Sequence, residues 1–372
     1  MKVGFFVNSL KENGLAVYCS RLAKLLDCQV VLFAHTIDIP DSSTESLVSS
    51  YGEVVLTKYR MNDCSLSSVL ELRKLVLRER INVIHVHELH CLKRVSPVGW
   101  LTGIPIFGTS HQAMTGSSNR DRWSKLIFSM GLSRILARTY FAISTELEGE
   151  FINEYMIRPI QVHKVLTGVD LGYFKAPSAT EKQEARAALG LPHDAIVFIQ
   201  LARLDDVKRP FDSLNAFLKV RGRLPNDKVH LIFAGQGSLE ADMKAFVTKH
   251  GLADSVHLMG YQKARLVLWA SDALLLPSSS EGFAMVVVEA MACGIVPIRT
   301  NTGGCIDQIE HGKNGYQFTT GDVDNLAKLM TLCMDPAVRL KLGLKSLEAA
   351  NTHFCINSTA SCIMSKYLEF VK

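Results

Sequence analysis

The segment from Ala273 to Cys293 does most to limit what this chain can fold into. Its apolar run Ala273-Leu274-Leu275-Leu276 reads as a buried strand, which Pro277 and Ser278-Ser279-Ser280 end. Helix-forming residues then follow from Ala284 to Cys293, with Glu281, Gly282 and Phe283 at the turn. A strand that passes through a glycine turn into a helix presents unpaired N–H groups and the positive end of the helix dipole to an anion such as phosphate. Met285 and Glu289 stand one turn apart on one face of that helix, while Glu281 sits at the turn. Taken alone, the segment is more simply a solvated helix start with a surface glutamate.

A second segment changes that reading. Phe198-Ile199-Gln200-Leu201-Ala202-Arg203-Leu204-Asp205-Asp206-Val207-Lys208 places Arg203 and Lys208 just after another strand-like run, at the edge where open parallel sheets bind ligands. Arg203 offers a planar fork and Lys208 a point charge, both suited to a diphosphate. The alternation of strand-like and helix-like segments between these motifs argues for α/β layers with parallel sheets. A chain of 372 residues with 48% hydrophobic content can bury two sizeable cores.

The Arg203-x4-Lys208 pair, the Glu281-x7-Glu289 segment and Thr302-Gly303-Gly304, in that order, resemble the C-terminal half of the family 4 glycosyltransferases, retaining enzymes of the GT-B fold. The resemblance extends through most of the chain. Ala234-Gly235-Gln236-Gly237-Ser238 is similar to the family's strand-to-helix glycine turn, and Thr167-Gly168-Val169-Asp170 to its Asn-Gly-Val-Asp. Near the start, Asn13-Gly14 stands where the family usually has paired glycines; Gly14 still permits close approach of backbone to a donor phosphate. Ala284 stands where Gly or Pro is common, and Asp307 where Glu is common.

The resemblance implies two Rossmann-like doubly wound domains facing a central cleft. Domains are expected at 1–175 for the acceptor and 176–355 for the nucleotide-sugar donor, with 356–372 a helix crossing back. The small, polar stretch Lys175–Lys182 reads as the linker. The implied reaction moves a hexose-type unit from a nucleotide diphosphate sugar to an acceptor hydroxyl with retention. Arg203, Lys208 and the N–H groups from Gly282 through Phe283, Ala284 and Met285 to Val286 would neutralise the diphosphate. Glu281 would bind hydroxyls of the donor sugar, Glu289 the ribose, and Gly14 and Gly235 would lie against the donor. No metal and no cofactor are implied. Asp322-Val323-Asp324 superficially matches a metal-binding Asp-x-Asp, but its place before Asn325-Leu326-Ala327 reads better as a helix cap.

Two strand-like runs in the first half end in histidines, Val83-Ile84-His85-Val86-His87 and Ile106-Phe107-Gly108-Thr109-Ser110-His111. The Thr-x-His ending resembles the family's position for a histidine near donor sugar and acceptor, so His111 is a candidate site residue. His87 is equally a structural group or a site residue. The polar loop Gln112–Ser118 that follows suits a lid over the acceptor.

Net charge is +5, too small for bulk nucleic-acid binding, but it is unevenly spread. Residues 119–138 mix Arg120, Arg122, Lys125, Arg134 and Arg138 with Trp123, Ile127, Phe128 and Leu132. That pattern fits either an anionic membrane surface or a helix whose apolar stripe faces its own sheet. Met1-Lys2 leads directly into the first strand, and no apolar run reaches the roughly 18 residues of a membrane span. A cytoplasmic protein, or one resting on the inner membrane face, is expected. Nine cysteines without a Cys-x-x-Cys pair suggest reduced buried thiols.

By family habit the acceptor is a glycan or a lipid-linked glycan of the kind used for lipopolysaccharide and other cell-surface polysaccharides, and UDP-sugars are favoured over GDP-sugars as donor. A nicotinamide oxidoreductase is disfavoured because no Gly-x-Gly-x-x-Gly closes the first turn. A non-catalytic partner of the same fold, or a sugar-nucleotide epimerase, would share the motifs named so far.

Overall fold

The computed structural model describes residues 1–7, 14–35, 53–61, 63–111, 136–221 and 228–371. The chain divides into two compact units, Met1–Thr167 with Ile356–Lys372, and Gly168–Cys355.

In the first unit the described strands are β1 (Lys2–Phe6), β2 (Gln29–His35), β3 (Glu53–Thr57), β4 (Val83–Val86), β5 (Ile106–Ser110), β6 (Thr139–Ala142) and β7 (Val162–Lys164). They form one sheet in the order β3-β2-β1-β4-β5-β6-β7, with every pair parallel. Strands β4, β5 and β6 are buried along their whole length. This is the continuous apolar character of a sheet covered on both faces. Its cover includes α1 (Gly14–Leu25), α2 (Leu66–Arg78), α3 (Leu92–Thr102) and α4 (Thr145–Asn153). Ser65 and Ser144 cap α2 and α4, their hydroxyls accepting from Ser68 N and Leu147 N.

The second unit has the same plan. Strands β8 (Ile196–Leu201), β9 (Val229–Ala234), β10 (Val256–Leu258), β11 (Ala273–Leu276), β12 (Val296–Thr300) and β13 (Tyr316–Phe318) order as β10-β9-β8-β11-β12-β13, again all parallel. Helix α5 (Ala179–Ala188) precedes them, α6 (Pro210–Arg221), α7 (Glu240–Lys249), α8 (Ala264–Ala270), α9 (Met285–Ala292) and α10 (Cys305–Gln308) connect them, and α11 (Val323–Leu332) and α12 (Pro336–His353) follow. One side of the sheet buries Phe198, Leu231, Phe233, Leu275 and Ile298 against Leu214, Phe217, Leu326 and Met330. The last helix, α13 (Ile356–Leu368), belongs to the first unit, where Thr359 Oγ1 donates to Leu166 O at 2.9 Å.

The division between units falls after Thr167 rather than at 175, and Lys175–Lys182 is not a linker. Ser178 and Glu181 form a capping box at the start of α5, Trp269 Nε1 donates to Lys175 O at 2.9 Å, and Lys182 pairs with Asp272 at 2.7 Å. Its polar composition is that of a helix cap bound into the second unit.

In an open parallel sheet the strand order reverses at one place, and the loops leaving the strands there diverge to leave a crevice. In the second unit that place lies between β8 and β11. The loops that leave these two strands carry Arg203, Lys208 and Glu281.

Candidate active site

Three loops of the second unit are locked to one another by backbone contacts. After β8, Asp205 organises the basic loop: its Oδ1 accepts from Lys208 N at 3.0 Å, and its Oδ2 lies 3.0 Å from Arg203 Nη2. Gln200, fully buried, donates to Lys208 O at 2.7 Å and accepts from Ser213 Oγ at 2.8 Å. The backbone that bears Lys208 is therefore held from the sheet end and from the loop itself. The loop after β11 is tied to it through Ser279 N, which donates to Val207 O at 2.8 Å. Across this junction Lys208 Nζ meets Glu281 Oε1 at 2.7 Å, with the carboxylate largely out of solvent. A charge-assisted bond at this length fixes both side chains. Arg203 stands apart, its side chain 75% exposed and paired to Asp205.

The turn at Gly235 is the third loop. Gly235 has φ 146°, and a Cβ there would lie 2.0 Å from Ala202 O; a Cβ on Gly237 would lie 2.1 Å from Leu204 O. Both glycines are required because the turn lies directly on the basic loop, where Leu204 N donates to Gln236 O at 3.0 Å. Gly235 thus supports the loop that carries Arg203.

Helix α9 begins at Met285, one residue later than its composition suggests. Ala284 is at φ 53° and ψ 72°, the left-handed region that a residue with a Cβ seldom occupies. Gln308 on α10 donates through Nε2 to Phe283 O and, at 3.3 Å, to Ala284 O. The Gln308 side-chain oxygen accepts in turn from Arg299 Nη1. Arg299 is fully buried on β12, and its Nη2 donates to Thr302 O at 2.8 Å and Gly303 O at 2.9 Å. These contacts hold the strained turn in place, and the helix's first N–H groups, at Met285 and Val286, have no carbonyl partner within the helix. Phe283 offers only backbone to such a site, because its ring is buried edge-on against Phe354.

Glu289 lies one turn into α9 and is partly buried. Burial first, then the Glu289 carboxylate, push the Cys293 thiol up to about 12, so Cys293 is a packed thiol rather than a nucleophile. Asp322 caps α11 by accepting from Asn325 N at 2.9 Å, while Asp324 pairs with Lys219 at 2.5 Å. Among the described residues, Glu88, His90 and Cys91 could bring three ligand atoms together for a metal. Burial, and then Glu88, hold the Cys91 thiol well above its ordinary range.

In the first unit, Gly14 opens α1; residues 8–13, with Asn13, lie outside the described residues. His111 follows β5 and keeps part of its surface exposed, with Tyr18 edge-on at 5.4 Å between ring centroids. Burial lowers its pKa to about 4, so the ring is neutral near pH 7. His87 is fully buried, its Nδ1 3.4 Å from His111 Nε2. Burial holds it well below the ordinary histidine range, His85 and His111 adding to the effect. The loop Gln112–Ser118 and residues 119–135 lie outside the described residues. No helix among the described residues is long and apolar enough to cross a membrane.

Sequence reasoning named Arg203, Lys208, Glu281 and His111 but missed Gln200, Arg299 and Gln308. A Gln inside an apolar strand was a signal for the first. For the other two, only their closeness to Thr302-Gly303-Gly304 gave a hint.

Residues 181–341 match the family model described as Glycosyl transferases group 1, and residues 12–173 match Glycosyltransferase Family 4. The D-inositol 3-phosphate glycosyltransferase of Thermobispora bispora is 29% identical over 331 residues, 82% of this chain and 75% of that protein. The UDP-Gal:alpha-D-GlcNAc-diphosphoundecaprenol alpha-1,3-galactosyltransferase of Escherichia coli is 25% identical over 321 residues, 82% of this chain and 80% of that one. Among solved structures, Anabaena HepE in complex with UDP aligns with a TM-score of 0.85 at 20% identity, over 99% of this chain and 100% of that chain. The two family models account between them for most of both units, and the strand order is that of two Rossmann-like domains. The chain is a glycosyltransferase of family 4, with the GT-B fold.

Proposed function

We propose that this protein is a retaining, metal-independent transferase that moves a sugar from a UDP-sugar to a hydroxyl of a lipid-linked or other glycan acceptor. The observation that carries the reading is the Lys208–Glu281 contact, which joins the cationic loop to the turn that opens α9. The leaving group of a nucleotide diphosphate sugar is a diphosphate, so the barrier falls most where fixed positive groups meet its growing charge. Lys208, Arg203 and the first N–H groups of α9 supply them. Glu281 accepts from hydroxyls of the donor sugar, with its charge held by Lys208. The departing phosphate oxygen takes the acceptor's proton as the acceptor oxygen bonds the anomeric carbon on the same face; no protein base is needed. Neutral His111 hydrogen-bonds the sugar or the acceptor.

UDP is favoured as donor nucleotide because HepE was solved with UDP and the E. coli relative is named for UDP-Gal. That relative's diphosphoundecaprenol acceptor also supports a lipid-linked acceptor, and with it a place at the cytoplasmic membrane face in cell-surface glycan synthesis.

A thermal-shift series with UDP, GDP, ADP and their sugars tests the donor. UDP at 100 times its dissociation constant stabilises the fold by about 2.7 kcal/mol. A shift with GDP or ADP and none with UDP rejects the assignment. Transfer from an α-linked UDP-sugar gives an α-linked product by NMR and proceeds at an unchanged rate in EDTA; a β product or a manganese requirement rejects that part of the mechanism.

Glu289→Ala chiefly raises KM for the donor, because the ribose it is assigned lies away from the breaking bond. Steady-state kinetics decide this: a fall in kcat at constant KM removes Glu289 from the ribose.

A further inference from the structure

Three histidines of the first unit, His85, His87 and His111, form a stack, the first two fully buried. The Tyr367 hydroxyl on α13 is hydrogen-bonded to His85 Nδ1, and His85 Nε2 lies 2.7 Å from Thr109 Oγ1. The His85 and His87 rings stack with centroids 4.2 Å apart, and Phe5 packs edge-on against His87 at 4.5 Å. His87 is thereby clamped, and its Nδ1 lies 3.4 Å from His111 Nε2. The other nitrogen, His87 Nε2, is buried with no hydrogen-bond partner among the described residues.

Between two neutral imidazoles only one proton can occupy the N···N contact. If His111 Nε2–H donates, His87 carries its proton on Nε2 and a buried N–H is left without an acceptor. If His87 Nδ1–H donates, what remains at Nε2 is a bare lone pair. Among backbone groups, buried N–H donors without a partner are rarer than under-satisfied acceptors, and the same preference applied to His87 Nε2 favours the second arrangement. It leaves His111 protonated on Nδ1.

We propose that His87 is a positioning residue for His111: it donates from Nδ1 to His111 Nε2 and fixes His111 as the Nδ1–H tautomer, a hydrogen-bond donor rather than a base. The bond on one ring nitrogen decides which proton the other carries. For its effect on turnover this rests on the reading of His111 as a residue that meets sugar or acceptor; the tautomer itself does not. A donor at this position matches a reaction in which the departing phosphate takes the acceptor's proton, since His111 then has none to accept.

Long-range proton–nitrogen correlation spectra of the full-length, ligand-free protein labelled with ¹⁵N-histidine read the tautomer directly, with His111 assigned by the signal lost in His111→Gln. The expected spectrum shows His111 protonated on Nδ1 and bare on Nε2. His87→Asn, whose amide nitrogen takes the place of Nδ1, preserves that pattern; His87→Leu shifts His111 towards the Nε2–H form. In parallel, His87→Leu lowers kcat by about 10-fold, the low end of what an imidazole's orienting partner contributes in metal sites, and His87→Asn restores most of it. A wild-type His111 protonated on Nε2, or a tautomer unmoved in His87→Leu, overturns the proposal. An Nδ1–H tautomer in a protein that transfers no sugar upholds the positioning and overturns the functional reading instead.

Discussion

Lys208→Ala lowers turnover by at least about 10²-fold, the loss typical of one strong electrostatic contact in the transition state. Two effects act in the same direction. The diphosphate loses a cation at the point where its charge develops, and Glu281 loses the ammonium that sits 2.7 Å from its carboxylate. A carboxylate this far out of solvent, left without its partner, reorients towards water, which removes it from the sugar hydroxyls. Lys208→Arg keeps the charge but not the point geometry, so it recovers only part of the rate. The measurement is kcat and KM with the best UDP-sugar, alongside a melting curve to separate activity from folding. Near-normal turnover in Lys208→Ala would remove the residue from the site.

Gly303→Ala has an effect of similar size by a different route. A Cβ on Gly303 would lie 2.1 Å from Glu281 O and 3.0 Å from Gly282 O. Both are backbone atoms, so relief requires the Glu281–Gly282 turn itself to move. A displacement of about 1 Å at a reacting geometry costs roughly 10²-fold in rate, while overpacking of this kind costs about 1–3 kcal/mol of stability. The variant is expected to fold, to melt lower, and to transfer sugar at about a hundredth of the normal rate. Wild-type kinetics in a folded Gly303→Ala protein would show that the glycine pair does not support the carboxylate loop.

The same glycine shows where sequence reading reaches its limit. Thr302-Gly303-Gly304 was legible as a motif, and so was its place after the carboxylate helix, because glycine runs between apolar strands are conspicuous. What the glycines touch was not legible, since their partner loop is a tertiary neighbour rather than a sequence neighbour. Parallel strands were readable from unbroken apolar runs such as Ala273–Leu276, which a half-exposed sheet would not tolerate. The start of α9 was misread by one residue: composition favours helix at Ala284, but Gln308 binds its carbonyl and holds it left-handed. Arg299 lies on a strand, where a charge reads as an edge or a solvent face; that it is fully buried follows from carbonyls supplied by the loop after it. The stretch 175–182 failed for a related reason, because serine, proline and glutamate suit a helix cap as well as a tether.

The first unit is built from two segments that flank the second unit in sequence, and this governs how it can be made. Tyr367, fully buried on α13, closes against His85 and Phe107 only after every residue of the second unit has been synthesised. During translation the earlier strands must wait for a helix that emerges only after the second unit. The second unit, continuous in sequence, has no such delay and can complete its sheet first.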